Sequence, residues 1–219
     1  MTTLATLRSR IADELVRDDL SSQIATSVQD AIRHWEAERL HFNEKRFTIL
    51  TVAGTEYYDL VAPTLLSAAG GAVETGETVL ELDSITATLT SGETPYPLTQ
   101  RTLEWFDHHH TPSYRGDPDS FMIFGDQLRL WPVPARETTL TLYALARLKT
   151  LSADADSNGW MTEGEPLIRH QAKLFIYRDI VRDPDGAALA QSAIEAALEP
   201  LKRKMGAKLM TGPVRPWSL

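Results

Sequence analysis

Cysteine is absent from the 219-residue sequence. Disulfide bonds, thiolate nucleophiles and zinc–thiolate sites are therefore excluded, and the composition fits a protein made in a reducing compartment. No apolar run approaches the roughly 20 residues that a membrane-spanning helix needs, so no membrane contact is expected. Phosphate-binding loops, dinucleotide-binding glycine motifs and Gly-x-Ser-x-Gly elbows are also missing. We therefore expect a non-enzymatic protein without a cofactor.

The net charge of −8 is unevenly distributed. Residues 200–219 contain five basic residues and no acidic residue, so the rest of the chain carries −13. An acidic body disfavours phosphate contacts and argues against nucleic-acid binding as the main task. The basic end suits an arm that binds an acidic partner, and a solvated helix end explains it equally well.

The first block of the sequence, residues 1–45, has helical periodicity. One apolar stripe is formed by Leu4, Leu7, Ile11 and Leu15. A second stripe is formed by Ile24, Val28, Ile32 and Trp35. These spacings predict a pair of amphipathic helices. The side chain of Ser21 or Ser22 is suited to cap the second helix by accepting a hydrogen bond from a backbone N–H group.

The second block, residues 46–150, has strand alternation and turn signals. Residues 47–52 and 57–60 flank Ala53-Gly54-Thr55-Glu56 and predict a hairpin. Residues 121–124 and 127–131 flank Gly125-Asp126 and predict a second one, which ends at Pro132-Val133-Pro134 because proline cannot donate a ladder hydrogen bond.

Three further elements are predicted in this block. Residues 79–89 and 140–148 are strand candidates, and residues 102–109 form a short helix. The block as a whole predicts a small antiparallel β-domain.

The third block, residues 151–210, is helical again. Thr162-Glu163-Gly164-Glu165 has the spacing of a capping box, and Pro166 suits the first turn of a helix. This helix is predicted to stop at Asp183-Pro184-Asp185-Gly186, and a second helix spans residues 187–209 with a kink at Pro200.

Residues 211–219 contain too many helix-breaking residues for a helix and predict an extended C-terminal arm. Helices at both termini with strands between them predict an α+β fold. In this fold the N- and C-terminal helices form one bundle, with the β-domain inserted between them.

Three consecutive histidines, His108, His109 and His110, suggest a metal site, since alternate residues of a strand share a face. A third ligand with suitable spacing is not evident, so a polar segment before a turn is the preferred interpretation.

A calcium loop is the second candidate metal site. Asp154, Asp156, Asn158, Gly159 and Glu165 match the spacing of oxygen ligands in such a loop, with glycine at the sharp turn. However, the preceding segment is predicted to be a strand, and the same residue types form ordinary turns. We therefore predict no metal ligand and leave calcium binding by Asp154, Asp156, Asn158 and Glu165 as an open alternative.

Two other functions are considered. A carbohydrate-binding module of a virion would use Trp105, Trp131 and Trp160 as a stacking surface, although core packing also explains these residues. A metal-dependent hydrolase built on the histidines lacks partner ligands.

The order of several short motifs resembles the head-to-tail adaptor (head-completion or connector) proteins of short-tailed bacteriophages. A helical segment at residues 31–44 passes straight into a strand and turn at residues 47–60. Later landmarks are Gly116-Asp117-Pro118, the Leu-x-Leu-x-Pro-x-Pro run at residues 128–134, a tyrosine-containing strand at residues 140–148 and the loop Asn158-Gly159-Trp160.

The resemblance implies a virion structural protein of the neck, assembled in the cytoplasm of the bacterial host. Such adaptors form a homo-oligomeric ring that is expected to match the portal's twelvefold symmetry. The ring lies between the portal protein and the tail or nozzle proteins, and DNA contacts it only in transit through the channel. Another neck or tail-completion protein of the same connector is the alternative.

The C-terminal arm is the predicted portal-docking site. Prolines reduce the entropy lost when a segment orders on its partner, and tryptophan is an effective anchor in a pocket. The docking residues are predicted to be Pro213, Val214, Arg215, Pro216, Trp217 and Leu219.

Overall fold

The computed structural model describes residues 2–61, 66–67, 76–89, 94–109 and 114–209. The chain forms two compact units. One unit, here called the helical unit, joins residues 2–43 to residues 151–209. The other, the β unit, is formed by Glu44–Thr150.

Six α-helices and one π-helical turn lie in the described residues. They are α1 (Leu4–Leu15), α2 (Ser21–Trp35), α3 (Leu103–His109), α4 (Gly159–Thr162), α5 (Glu165–Phe175), the π-helical turn Ile176–Val181 and α6 (Pro184–Leu209). Helix α5 packs against α1, α2, α4 and α6. Helices from both ends of the chain therefore share one core, and the predicted α+β class with terminal helices is confirmed.

Helix α1 has a defined beginning and end. The Thr3 hydroxyl accepts a hydrogen bond from the Thr6 N–H group at 3.3 Å, which satisfies one of the free N–H groups of the first turn. At the other end, Val16 adopts the left-handed conformation (φ +53°) and its N–H group donates to the carbonyls of Ala12 and Asp13. Side chains of the predicted apolar stripe are buried, namely Leu4, Leu7 and Ile11.

Helix α2 begins without a side-chain cap, so the prediction for Ser21 and Ser22 is wrong. Leu20 occupies the N-cap position, and its side chain is buried. Ser22 Oγ instead donates to Gln23 Oε1 at 2.8 Å. Burial of Leu20 sets the start of this helix, because packing of a large apolar side chain outweighs the free energy of one capping bond.

The predicted capping box at residues 162–165 is also wrong. Asn158 caps the short helix α4, with Oδ1 accepting from the Trp160 N–H group at 2.9 Å. Thr162 Oγ1 donates to the Asn158 carbonyl at 3.1 Å, and Glu165 lies in the first turn of α5. Pro166 lies in the first turn as predicted.

The predicted stop at residues 183–186 is the beginning of α6. Asp183 Oδ1 accepts from the N–H groups of Asp185 and Gly186 at 3.1 Å each, and the helix begins at Pro184. The preceding π-helical turn ends at Val181, and Arg182 follows it as the C-cap with φ +60°. Residues 182–186 therefore contain both the end of one helix and the beginning of the next, which is why they have the residue types of a helix stop.

The β unit contains eleven strands in its described residues. They are β1 (Glu44–Leu50), β2 (Tyr57–Asp59), β3 (Leu66–Ser67), β4 (Thr78–Thr88), β5 (Tyr96–Pro97), β6 (Thr99–Gln100), β7 (Arg115–Gly116), β8 (Ser120–Phe124), β9 (Gln127–Trp131), β10 (Val133–Pro134) and β11 (Thr139–Arg147). Their orders are β3-β1-β11-β4-β5, β2-β9-β8-β6 and β10-β7. Most pairs are antiparallel as predicted, whereas β6–β8 and β7–β10 are parallel.

The five-stranded and four-stranded sheets share one apolar core. Side chains of both sheets belong to a single buried cluster, among them Phe47, Ile49, Ile85, Leu140 and Leu142 from one sheet and Tyr58, Phe121, Leu128 and Leu130 from the other. Alternate residues of these strands point inward, as the sequence alternation predicts.

The hairpin predicted around Gly125-Asp126 is confirmed, since β8 and β9 pair in register and Gly125 has φ +60°. A left-handed conformation at this position suits glycine and matches the twist of the two strands. The predicted stop after this hairpin is only partly right. Val133–Pro134 continues as a short strand, paired with Arg115–Gly116 rather than with the previous neighbour.

The hairpin predicted between residues 47–52 and 57–60 is wrong. Strand β1 pairs with β11 and β3, whereas β2 pairs with β9 in the other sheet. The segment between them is a corner. The Thr51 N–H group donates to the Thr138 carbonyl at 2.9 Å, and that of Gly54 (φ +84°) donates to the Pro134 carbonyl at 2.8 Å.

The Tyr58 hydroxyl holds this corner from inside. It accepts from the Val52 N–H group at 2.9 Å and lies 3.0 Å from the Thr55 carbonyl oxygen. The flanking strands pair with β11 and β9, which lie far along the chain, so the local residue pattern by itself resembles that of a hairpin.

We expect Tyr58→Phe to lower the free energy of unfolding by about 1–2 kcal/mol, because the Val52 N–H group loses its partner. Urea denaturation measures this change. Tyr57→Phe is the matched control, since it removes a hydroxyl from an exposed neighbouring ring. Equal changes for the two variants would contradict the assigned role of Tyr58.

Candidate functional site

The predicted portal-docking arm, Pro213 to Leu219, lies outside the described residues. The described part of the chain ends with α6, and Lys204 of this helix is bonded to the turn between α4 and α5. Lys204 Nζ donates to Glu163 Oε2 at 2.6 Å, and a hydrogen bond joins His41 Nε2 to the same oxygen at 3.2 Å. The Lys204 ammonium lowers the pKa of Glu163 below its ordinary value. Charge-assisted bonds therefore hold α6 at Lys204, before the residues that lead to the arm.

A network of ion pairs links the N-terminal helix to α5. Glu14 accepts hydrogen bonds from Arg169 and, at 2.7 Å, from Lys173. Glu165 is buried, and its Oε1 lies 3.2 Å from both Arg10 and Arg169. Burial alone would raise the pKa of Glu14, but the two cations lower it below its ordinary value of 4.5.

The proposed calcium ligands have other partners. Asp154 Oδ1 pairs with Arg8 at 3.1 Å, and Asp156 Oδ2 accepts from two backbone N–H groups of the preceding turn at 2.8 Å each. Asn158 caps α4, and Glu165 belongs to the ion-pair network. No group of three or more histidines, aspartates and glutamates is placed to hold a metal ion in the described part of the chain.

The histidine triplet does not form the strand that the metal interpretation assumed. His108 and His109 belong to α3, and His110 lies outside the described residues. The His109 ring stacks on Trp105 with centroids 4.2 Å apart, and its Nδ1 lies 2.8 Å from the Trp105 carbonyl oxygen. Successive helical residues point about 100° apart, so His108 and His109 do not converge on one site.

The three tryptophans proposed as a stacking surface are not brought together. Trp105 and Trp131 make an edge-to-face contact in the β unit, with ring centroids 5.2 Å apart. Trp160 is buried in the core of the helical unit, where its ring contacts Phe42. The interpretation as core packing is correct for Trp160.

A solvent-open cleft of about 490 Å³ lies between α2 and the π-helical turn. Most of its lining residues are polar, and they include Gln23, Thr26, Asp30, Arg178 and Asp179, with Phe175 as an apolar member. Arg178 and Asp179 form a bidentate pair, at 2.7 and 2.8 Å. Sequence patterns do not predict this cleft, because the change from α- to π-helical winding has no simple residue signature.

An apolar groove lies on the outer face of the four-stranded sheet. We call it the β-unit groove; its volume is about 180 Å³ and its lining residues are Tyr57, Leu103, Met122, Phe124, Gln127 and Arg129. Phe124, Leu103 and Tyr57 are 73%, 49% and 48% exposed. Strand alternation predicts which face they lie on but not that the face remains uncovered.

Residues 2–216 match the family model described as SU10 adaptor protein. The match spans nearly the whole sequence and includes both units. The chain belongs to the SU10 adaptor protein family.

The resemblance to phage adaptors drawn from short motifs is thereby confirmed at the level of the family. SU10 adaptors are structural phage proteins, so the adaptor is a virion component. No curated protein matches the chain. None of the described helices is long and apolar enough to cross a membrane.

One structural residue of the adaptor was missed by sequence reasoning. Asn43, the last residue before the β unit, is fully buried. Its Oδ1 accepts from the Leu40 N–H group at 2.8 Å, and its Nδ2 donates to the Glu38 carbonyl at 2.9 Å. A buried amide that satisfies backbone groups in this way fixes the turn that leads out of the helical unit. A lone asparagine near a helix end was the available signal.

We expect Glu14→Gln to lower the free energy of unfolding of the adaptor by about 1 kcal/mol at pH 7, because Arg169 and Lys173 lose their shared counter-charge. The folded-state pKa of Glu14 is lowered, so its contribution is fully present above 4.5 and is lost as pH falls through the folded-state pKa. Thermal or urea unfolding from pH 7 to pH 3 measures the difference.

The control for this series is Glu195→Gln, which neutralises an exposed carboxylate of α6. The difference between the wild-type protein and Glu14→Gln should shrink as the solution becomes more acidic than pH 4.5. A difference that is independent of pH would show that the side chain acts by packing rather than by charge.

Proposed function

We propose that the adaptor is one subunit of a ring that lies between the portal and the tail of a phage and continues the DNA channel. The family match over residues 2–216 carries this proposal. It is supported by the order of the motifs that resemble head-to-tail adaptors. We further propose that the copy number follows the portal's twelvefold symmetry and that the role is structural rather than catalytic.

The surface charge supports a conduit for DNA. The adaptor carries a net charge of −8, and the β unit has 14 acidic and 8 basic residues. Like charge weakens contacts with DNA phosphates, so DNA can slide past such a surface without binding tightly. A basic lining would instead retain the DNA and slow its passage.

The helical unit supports a role in assembly. Its helices bury apolar side chains in one core, and ion pairs between α1 and α5 fix the position of these two helices relative to each other. A preorganised unit loses little conformational entropy when it docks on a neighbour. Subunits that repeat one head-to-tail contact close into a ring when the rotation between them closes.

The C-terminal arm is proposed to bind the portal. Its prolines Pro213 and Pro216 limit the conformations of the free segment, and Trp217 supplies a large apolar anchor. Arg215 adds a charge that suits an acidic partner. The proposed contacts with tail or nozzle proteins involve other surfaces of the ring.

We expect electron micrographs of the full-length adaptor mixed with portal rings to show a second closed ring stacked on the portal, with the same rotational symmetry. Images of each protein alone are the control and identify which ring belongs to the adaptor. Particles that carry scattered single copies, or copies at the host-facing end of a tail instead of on the portal, would contradict the proposal.

We expect deletion of residues 211–219 to weaken portal binding by about thirtyfold or more, because an anchoring tryptophan typically contributes 2 kcal/mol or more to an interface. Surface plasmon resonance on immobilised portal rings measures the affinity. Circular dichroism and thermal melting confirm that the shortened protein is folded. Full affinity of the folded, shortened protein would refute the role of the arm.

A further inference from the structure

Three of the residues that line the β-unit groove have exposed apolar or aromatic side chains. Phe124 is the last residue of β8, and Leu103 is the first residue of helix α3. Tyr57 is the first residue of β2, which pairs with β9, the hairpin partner of β8. All three are about half exposed or more. A contiguous apolar surface rimmed by polar residues marks an interaction site more often than scattered apolar residues do.

Polar groups beside the groove are already satisfied within the β unit. Arg129 donates to Glu56, and its guanidinium lies 5.3 Å from the Tyr57 ring centroid and 5.1 Å from that of Phe106. Gln127 Nε2 donates to Asp59 Oδ1 at 3.2 Å. An occupant therefore gains its binding free energy from apolar contact, and the groove selects apolar side chains.

The size of the groove indicates the kind of occupant. Its volume of about 180 Å³ is below the roughly 300–1,000 Å³ of pockets that hold small molecules. A space of this size accommodates one or two large side chains presented by an extended segment.

The chain itself contains a run of large apolar residues outside the described residues. Residues 210–219 include one charged residue, Arg215, and the apolar residues Met210, Pro213, Val214, Pro216, Trp217 and Leu219. The sign of the charge is compatible with the pairing, because residues 210–219 carry one positive side chain, Arg215, whereas the β unit carries six more acidic than basic residues. Complementary charge increases the rate of encounter and disfavours other partners.

We propose that, before the protein reaches the portal, the C-terminal segment 210–219 of one copy docks in the β-unit groove of a second copy, with Trp217 as the anchor. The contact joins unlike surfaces, so it repeats from copy to copy and is of the kind that closes rings. The proposal concerns the free protein. On any one copy, this contact and portal docking use the same segment and exclude each other.

The absence of cysteine makes a direct test possible. Two full-length variants are prepared, Gln127→Cys in the groove and Ser218→Cys in the segment. They are mixed without portal and treated with a short bis-maleimide, which joins thiols that lie close together. We expect a covalent dimer on a denaturing gel that contains one copy of each variant.

The controls separate groove docking from random collision. Leu80→Cys places a thiol on a partly exposed residue of the same β unit, outside the groove, and should give at least about tenfold less dimer with Ser218→Cys. Adding Phe124→Ser to the groove variant, or Trp217→Ala to the segment variant, should lower the yield of dimer by a similar factor. Phe124 is 73% exposed, so its replacement leaves the fold intact.

Two results would overturn the proposal. One is a yield of dimer that is the same for Gln127→Cys and Leu80→Cys. The other is a crosslink that forms within one chain in the Gln127→Cys/Ser218→Cys double variant while the mixture of single variants gives none. Portal is absent throughout, so either result leaves the portal-docking proposal standing, and failure of portal binding leaves this one standing.

Discussion

The antiparallel pairing of β1 with β11 is the contact on which the architecture depends. It places Glu44, the first residue of the β unit, opposite Leu145 near the end of that unit. The two ends of a 107-residue insertion therefore lie side by side. Because they do, the helices that precede and follow the insertion can pack into one core, and each unit buries its own apolar side chains. The pairing thus brings α5 close to α1 and α2, and burial of their apolar stripes then holds them together.

Both units keep some apolar side chains at the surface. In the helical unit, charged residues such as Glu14 and Arg169 bind one another between helices, an open cleft lies beside the π-helical turn, and Leu189 is exposed. In the β unit, apolar side chains such as Phe124 remain exposed. A protein that functions only as a monomer gains nothing from such exposure, whereas a subunit of an assembly can bury it against a partner.

Sequence periodicity predicted the elements well, because burial of one face determines both the spacing of apolar residues and the position of a helix or strand. The stripe of α1 and the hairpin at Gly125 are examples. Errors occurred where the decisive contact is distant in sequence or depends on tertiary burial. The pairing of β1 with β11 and of β2 with β9 converts an apparent hairpin into a corner, and burial of Leu20 displaces a serine cap. The candidate sites were less predictable. No residue pattern shows that the apolar face of the β-unit groove stays uncovered. The arm was recognised only from its composition, and it lies outside the described residues.

Charge places a constraint on the proposed ring. Copies that each carry −8 repel one another, and salt screens this repulsion only beyond about 8 Å at physiological ionic strength. Neighbours in a closed ring are closer than that, so their contact surfaces need local compensation. Residues 200–219, with +5, are the largest concentration of positive charge in the sequence that lacks an acidic residue. The proposed DNA transit favours an acidic body, and the proposed ring needs positive charge at the contacts between copies. A chain with an acidic body and its positive charge at one end meets both requirements when that end reaches a partner.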